Sequence, residues 1–352
     1  MTRTLFDVDV LVRAAGSIFE AAGIAPGAAR RVAESLVDGD ARGIPSHGLM
    51  LVPMYVDRLR AGSVATHEHA DVVLDLGAMA VLDARHALGQ LTSDQAMALA
   101  VQKAGLHGIG IVSVRHAFHF GGAFRYARQA ASAGCIGIVA SNTRPLMPAP
   151  GGATRVVGNN PVAFGVPRPG DGPVVLDMAL SEAALGKIRL AEAEGREIPA
   201  TWATDASGAA TTDPAAAIAG MLLPVGGPKG YGLALMVDVL TGVLSGGAFG
   251  ASVQGMYADV AVPNNCAHVF IAIDVATFDP DGTFDGSVTE LVAQIGASRL
   301  APGTERVLLP GQLEDERAAA ALVDGVPVES SVVDGLRGAA QLVGAELPEE
   351  LA

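Results

Sequence analysis

The chain has 352 residues, 50% of them hydrophobic but only 4% aromatic, and a formal net charge of −14. That length is enough for two or three lobes around a full core, and a composition dominated by Ala, Gly, Val and Leu suits a compact α/β enzyme. The acidity argues against nucleic acid and anionic lipid surfaces as partners, so a small anionic substrate would need a local cationic pocket.

Apolar residues at three- and four-residue spacing predict helices over 8–22 and 28–37. The loop Gly43-Ile44-Pro45-Ser46-His47-Gly48 follows, then a further helix over 49–60. Alternation predicts a hairpin over 71–83. The middle of the chain alternates: a helix over 91–105, a buried strand over 109–114, a helix over 121–133 and a strand over 136–141. Residues 145–173, rich in Pro and Gly, suggest a looser region. A short strand over 174–178 and a helix over 181–193 come next. A long apolar helix over 229–245 is entered through Gly226-Gly227-Pro228. A strand over 268–275, a helix over 288–298, a Pro/Gly loop over 299–312 and two polar helices complete the chain. The expected architecture is α/β: a central cofactor-binding domain with a mixed sheet over 71–299, and a helical lobe built from 1–70 with 300–352.

Cys135 and Cys266 are too few and too far apart for a disulfide framework or a metal cluster, and are expected to be reduced and buried. The first residues, MTRTLFDVDV, lack a secretory pattern. The longest apolar run, 232–247, is interrupted by Asp238 and falls short of the roughly 18 residues a span needs. A cytoplasmic protein without a membrane partner is expected. There are 20 Arg but only three Lys: Lys103, Lys187 and Lys229. Lys is a compact point charge with a tunable pKa, so its rare positions draw attention.

No Gly-x-Gly-x-x-Gly fingerprint stands between a strand and a helix, and no Walker-type loop is present. His116 and His119 are three apart but have no further ligand at metal spacing, so no metal is expected. Ser46-His47-Gly48 has two readings. Its imidazole, oriented by Ser46, suits removal of a hydroxyl proton; it is also an ordinary surface His beside an N-cap Ser. His116-Ala117-Phe118-His119-Phe120-Gly121-Gly122 lies between a strand and a helix, where α/β enzymes place ligands, and glycine lets backbone approach them closely. Either histidine can equally be satisfied by its own surroundings. Ser141-Asn142-Thr143 and Gly158-Asn159-Asn160-Pro161 form rigid polar loops that can hold an amide or carboxylate, or simply turn. Asp177 at a strand end can bind ribose hydroxyls or cap the helix that follows. Gly227-Pro228-Lys229, entering a long helix, is a ready anion site.

Taken in order, these segments resemble the malate/L-lactate dehydrogenase type 2 family, whose relatives include ureidoglycolate, sulfolactate and hydroxycarboxylate dehydrogenases. The resemblance rests on DARGIPSHGLMLVPMYVDRLRAG (40–62), HFGGAFRYARQAASAGCIGI (119–138), MPAPGGATRVVGNNPVAFGVP (147–167), LDMALSEAALGKI (176–188), GGPKGYGLALMVDVLTGVLSGG (226–247) and LLPG (308–311). It spans roughly residues 5–330 and implies a non-Rossmann dinucleotide fold, a homodimer, and hydride transfer between NAD or NADP and a 2-hydroxy acid. It marks His47 as proton donor and acceptor with Ser46 beside it, and His119 as nicotinamide-lining or itself the base. His119, Phe120, Gly121, Thr143, Asp177, Met178, Ala179, Pro228 and Lys229 fall on cofactor positions, and Asn159 on a substrate position. Many relatives carry an Arg four residues after the motif His, where it clamps the substrate carboxylate; here that position is Leu51, which resembles a hydroxycarboxylate dehydrogenase branch and suggests a malate- or lactate-like substrate or a bulkier, more apolar one. Arg144 or Lys187 is expected to supply the missing contact. Lys187 stands where the cyclic-imine (ketimine) reductases have an acidic residue, which disfavours imine reduction. A catalytically idle dinucleotide binder is the alternative from another class.

Overall fold

A computed structural model describes residues 3–351. In chain order they form β1 (Arg3–Phe6), α1 (Val8–Ala21), α2 (Pro26–Ala41), α3 (Val52–Ala61), β2 (Asp71–Leu76), β3 (Met79–Asp83), α4 (Gly89–His107), β4 (Ile109–Ala117), α5 (Phe124–Ser132) and β5 (Cys135–Ser141). Then come β6 (Met147–Pro148), β7 (Arg155–Val157), β8 (Val162–Val166), β9 (Val174–Met178), α6 (Leu185–Ala193), β10 (Ala203–Thr204), α7 (Pro214–Ala219), β11 (Met221–Leu222) and α8 (Pro228–Asp238). The rest is β12 (Cys266–Asp274), α9 (Val275–Phe278), α10 (Phe284–Gly296), α11 (Gln312–Asp324), β13 (Val326–Glu329) and α12 (Ser330–Val343).

Seven strands make one mixed sheet in the order β2-β3-β4-β12-β5-β8-β9. Only β3 and β4 run parallel; the other neighbours are antiparallel. The late strand β12 takes the centre, where Phe270 faces Val112 of β4 and Val139 of β5. Alternation along the strands gives the sheet two buried faces. Val112, Val114, Val139 and Phe270 pack beneath α4 and α5, while Ala140 and Val269 pack with Ala234 and Val237 of α8. The small-residue composition has its use here. A Cβ on Gly110 would collide with the Ala100 carbonyl of α4, and one on Gly137 would come 2.6 Å from the Ala130 methyl of α5. At these two points the helices leave no room for a side chain on the strand.

A second core joins both ends of the chain. Leu11, Ile18, Phe19, Leu36, Tyr55 and Leu336 are fully buried in it, and β1 pairs antiparallel with β13 along its edge. Leu88, Leu91 and Phe118, from the central segment, complete this core. The start of α4 and the loop after β4 are thereby wedged against α3, which is what positions the site.

The sequence reading and the structure part in several places. The looser stretch 145–173 contains β6, β7 and β8, and β8 is a full member of the main sheet. It is five residues between Pro161 and Pro167, too short to show a period, and its pairing comes from β5 and β9. The helix expected from 121 begins at Phe124, because Gly121 adopts φ +78° and keeps the loop open. The helix expected from 181 begins at Leu185, since Ser181 is held by a bridge to Pro224. The helix 229–245 is continuous but contains a π turn at Val239–Val243. The terminal ladder β1–β13 and the small elements between 199 and 227 carry no signal of their own. Both cysteines are free and buried, as expected, and no helix among the described residues is long and apolar enough to cross a membrane.

Candidate active site

Where α2 gives way to α3, residues Pro45–His47 make a single tight turn. Asp40, at the end of α2, ties it down: its carboxylate accepts the Leu49 N–H at 2.7 Å. A Cβ on Gly48 would collide with that carboxylate. Burial pushes Asp40 up to about 7. Ser46 is therefore not the cap the motif suggested, and α3 starts at Val52 with no side-chain cap. Ser46 instead turns its Oγ to His47 Nδ1, at 3.0 Å.

His119 faces His47 with ring centroids 5.4 Å apart. Its Nδ1 lies 2.7 Å from the Tyr55 hydroxyl, which in turn receives the Gln90 amide N–H at 3.0 Å. Tyr55 of α3 and Gln90 of α4 are both fully buried. Gln90 Oε1 is buried without a partner. Burial draws half-buried His47 down to about 4. It lowers His119 well below its ordinary value too, with help from neighbouring His47 and His268. Two uncharged imidazoles thus meet here at neutral pH.

The segment behind His119 is packed as a shelf. Phe120 stacks on His268 at 4.4 Å, and its carbonyl accepts the Tyr126 hydroxyl. Gly121 sits beside Ser35 and Gln90. His268 is fully buried and bonds Ser141 Oγ at 2.9 Å. His116 is elsewhere: in the left-handed region at φ 49°, it pairs with Asp83 at 2.9 Å.

Beyond β5, Asn142 is held by Asp238 at the start of the π turn and by the Ala248 carbonyl, and receives the Ala267 N–H. This fixes the next residue, Thr143, whose Oγ1 donates to Asn159 Oδ1 at 2.9 Å and whose N–H donates to Asn160. Thr143 and Asn159, nominated separately from the sequence, are thus one unit. Arg144 follows, half-buried. Leu51 is buried in the helical core behind the Ser46-His47 turn. Lys187 is exposed on α6.

Asp177 ends β9 and accepts the Phe124 N–H at 2.8 Å, so it caps α5, a helix that precedes it, rather than the one that follows. It also lines a cavity of about 330 Å³ with Arg42, Ile44, Phe124, Leu309 and Glu314. Arg42 and Arg128, in the same wall, are already paired with Asp315. Met178 is partly buried against the core between the sheet and α8, and Ala179 lies beside it at the strand's end. At the start of α8, Gly227 has φ +65°, Pro228 opens the helix and Lys229 is exposed. The Gly226 N–H in that turn is taken by the Glu182 carboxylate at 3.3 Å.

Tyr55, Gln90 and His268 carry no motif. Each looks like ordinary core patterning in sequence, and only the meeting of α3, α4 and β12 brings them to the His119 segment. A family model described as malate/L-lactate dehydrogenase matches residues 6–337. A malate dehydrogenase of Pyrococcus abyssi is 38% identical over 324 residues, covering 90% of this chain and 88% of that protein. An NAD(+) ureidoglycolate dehydrogenase of Escherichia coli is 37% identical, covering 86% of each. The solved sulfolactate dehydrogenase of Methanocaldococcus jannaschii superposes with a TM-score of 0.92 at 33% identity over 98% of both chains.

Proposed function

The chain belongs to the malate/L-lactate dehydrogenase family, and from that premise we propose that it interconverts a 2-hydroxy carboxylate and its 2-oxo acid with a nicotinamide dinucleotide. The observation that carries this reading is the pair of uncharged imidazoles, each held at Nδ1 by a different hydroxyl.

The two hydroxyls divide the roles. Gln90 donates to Tyr55, so the Tyr55 proton points to His119 Nδ1 and the His119 hydrogen sits on Nε2. His119 then donates a hydrogen bond to the substrate oxygen but has no free lone pair there. His47 can donate from Nδ1 to Ser46, which leaves Nε2 free to take the hydroxyl proton as the C2 hydride departs. In reduction the same proton returns. Loss of charge by burial keeps both rings ready at neutral pH. Thr143 and Asn159 orient the substrate, and Arg144 meets its carboxylate, with Leu51 supplying only packing. Lys187, exposed on α6, is the alternative cation for that carboxylate.

The residues fit the dinucleotide. Gln90 Oε1, a buried acceptor lacking a donor, lies beside the His119–Gly121 segment. The 330 Å³ cavity offers apolar walls with the Asp177 and Glu314 carboxylates as acceptors for ribose hydroxyls. Its arginines are already neutralised, which favours NAD over NADP. Phe120, Gly121, Met178 and Ala179 would line the path between the two, and Pro228 and Lys229 would meet the phosphates. When bound, the nicotinamide supplies hydride acceptance. This route needs neither a parallel sheet nor a Gly-rich strand–helix turn.

A homodimer is supported by an uncovered apolar stripe, Leu233, Met236, Leu240 and Leu244, along α8 and its continuation. Two free buried cysteines fit a reducing, cytoplasmic setting. The test is a screen of NADH and NADPH oxidation with 2-oxo acids for wild type, His47→Gln and His119→Gln. Turnover that falls about 10²–10⁴-fold in His47→Gln supports the assignment. Full activity in that variant moves proton transfer to His119, and no turnover with any acid removes the dehydrogenase reading.

A further inference from the structure

Arg58 stands on α3 one turn beyond Tyr55, fully buried and without an ion pair among the described residues. A guanidinium taken out of water needs its donors met. One loop meets most of them. Nε donates to the Met256 carbonyl at 2.9 Å, Nη2 to the Gly255 carbonyl at 3.0 Å and Nη1 to the Val262 carbonyl at 2.8 Å. Nη1 also reaches Ser63 Oγ at 3.3 Å. The loop has little else to hold it. No helix or strand lies between 253 and 265, and residues 257–262 are exposed. Its base is pinched where the Gln254 N–H meets the Asn264 carbonyl and the Asn264 amide meets the Gln254 carbonyl.

Arg144 lies against this loop. A Cβ on Gly255 would come 2.8 Å from Arg144 Cδ and 3.3 Å from its Nε, so the arginine stem rests directly on the Gly255 backbone. Gly255 is thus clasped between two guanidiniums, with Arg58 holding its carbonyl and Arg144 crossing its Cα. By taking the Gly255 and Met256 carbonyls, Arg58 withdraws two acceptors from the guanidinium that rests on the same backbone. Arg144 is half-buried, has no ion pair among the described residues, and follows Thr143, which is joined to Asn159. On its other flank, the Arg58 guanidinium lies 5.8 Å from the centre of the Phe118 ring. Phe118 packs edge-on against Tyr55 at 5.1 Å and precedes His119. One side chain therefore ties the loop against Arg144 to the shelf that carries His119. An ammonium could not replace it, because a point charge lacks the planar fork that reaches three carbonyls at once.

We propose that Arg58 is a positioning residue of the dehydrogenase: it straps the 255–262 loop so that the Gly255 backbone sets the Arg144 guanidinium beside the Thr143–Asn159 unit, with its donors left for the substrate carboxylate. The inference rests on the dehydrogenase reading and on Arg144 as the carboxylate's cation. Arg58 touches no substrate; it acts through Arg144.

The experiment follows NADH oxidation with oxaloacetate and with pyruvate in wild type, Arg58→Lys, Gly255→Ala and Arg144→Gln, and hydrogen exchange of the 255–262 amides in each. Arg58→Lys keeps the charge but meets fewer carbonyls, so exchange over 255–262 should quicken about tenfold. KM for the acid should rise about tenfold in that variant, and kcat should change by less than about threefold. Gly255→Ala keeps the strap and displaces the Arg144 stem, so KM should rise while exchange stays as in wild type. Arg144→Gln should raise KM alone, and adding Arg58→Lys to it should raise KM little further, since nothing is left to place. Full additivity in that pair, a loss carried by kcat with KM unmoved, or unchanged exchange in Arg58→Lys overturns the proposal and leaves the dehydrogenase intact. An Arg144→Gln variant with the KM of wild type does the same and hands the carboxylate to Lys187. Should Arg58→Lys fail to fold, Gly255→Ala decides, because an unmoved KM there breaks the link between loop and guanidinium. If wild type turns over no 2-oxo acid, the dehydrogenase reading fails and this role falls with it, an outcome set apart by the inactivity of the wild type itself.

Discussion

The two sides of the imidazole pair are built on opposite principles. On the Tyr55 side, neutral groups are buried and joined: His119 to Tyr55, Tyr55 to Gln90, His268 to Ser141. On the Arg144 side, charges stand without partners, beneath a loop strapped by Arg58. The first arrangement fixes geometry before any ligand arrives. The second leaves Arg144 half-buried and without an ion pair among the described residues, open to an anionic ligand. A joined network should therefore fail through kcat when cut, and an unpaired cluster through KM.

The strongest way to break this contrast is Tyr55→Phe. It leaves His119 Nδ1 and the Gln90 amide buried without their shared partner. We expect kcat to fall by about 10–100-fold, as when a group that orients a catalytic imidazole is removed, and stability to fall by about 1–3 kcal/mol. Denaturant unfolding and steady-state rates measure both. A variant that raised only KM would mean that Tyr55 is part of the substrate pocket and not of the relay.

Acid sharpens the contrast, because the joined side is held neutral by burial. His268 is drawn from 6.5 down to about 4. The unfolded chain takes up that proton from about pH 6.5, and the folded chain does not until about pH 4. The stability that this group confers is complete above the upper value and is lost as pH falls through the window, by roughly 3 kcal/mol in all. Asp40, raised from 3.8 to about 7, works in the opposite sense and gives up its contribution as pH rises through that interval. The readout is thus a difference: between about pH 4 and 6.5 the slope of stability against pH should be less positive in His268→Gln than in wild type, by up to about 1.4 kcal/mol per pH unit. Equal slopes would mean that the buried ring titrates normally.

Salt acts on the other side. Raising ionic strength from about 0.05 to 0.5 M should increase KM for the 2-oxo acid several-fold, since partly exposed guanidiniums are screened, and should change kcat much less. A kcat effect larger than the KM effect would contradict the division.

Much of the framework was legible because its signals are local. The 71–83 hairpin, the alternating core of β4, β5 and β12, and the long helix at 229 each carry their own period. The Ser46-His47 and His119 segments announced themselves through rare residue types in Gly-rich turns. What stayed hidden depends on distant partners. Strand β8 has no period between its prolines, and β1 is a strand only because Val326–Glu329 lies beside it. Tyr55 and Gln90 look like core residues in their own helices, and only the wedge of α4 against α3 joins them to His119. The Ser46-His47-Gly48 loop suggests a Ser cap, but α3 begins without one, and Asp40, eight residues before Gly48, instead accepts the Leu49 N–H of the turn that leads into it.

The smallest expected effect falls on Asp177, where two explanations still coincide. It caps α5 through the Phe124 N–H and it also faces the cavity assigned to the cofactor's ribose. Asp177→Asn keeps an acceptor oxygen for the helix but gives up the charge. As a cap, Asn is about as good as Asp, so stability should change by well under about 1 kcal/mol. As a ribose acceptor, the neutral amide is weaker, so KM for NAD should rise a few-fold. Asp177→Ala removes both functions and should add a stability loss of about 1 kcal/mol to the KM effect. If Asp177→Ala lowers the melting temperature while both variants leave KM for NAD unmoved, Asp177 is a cap alone, and the ribose must be met from Glu314.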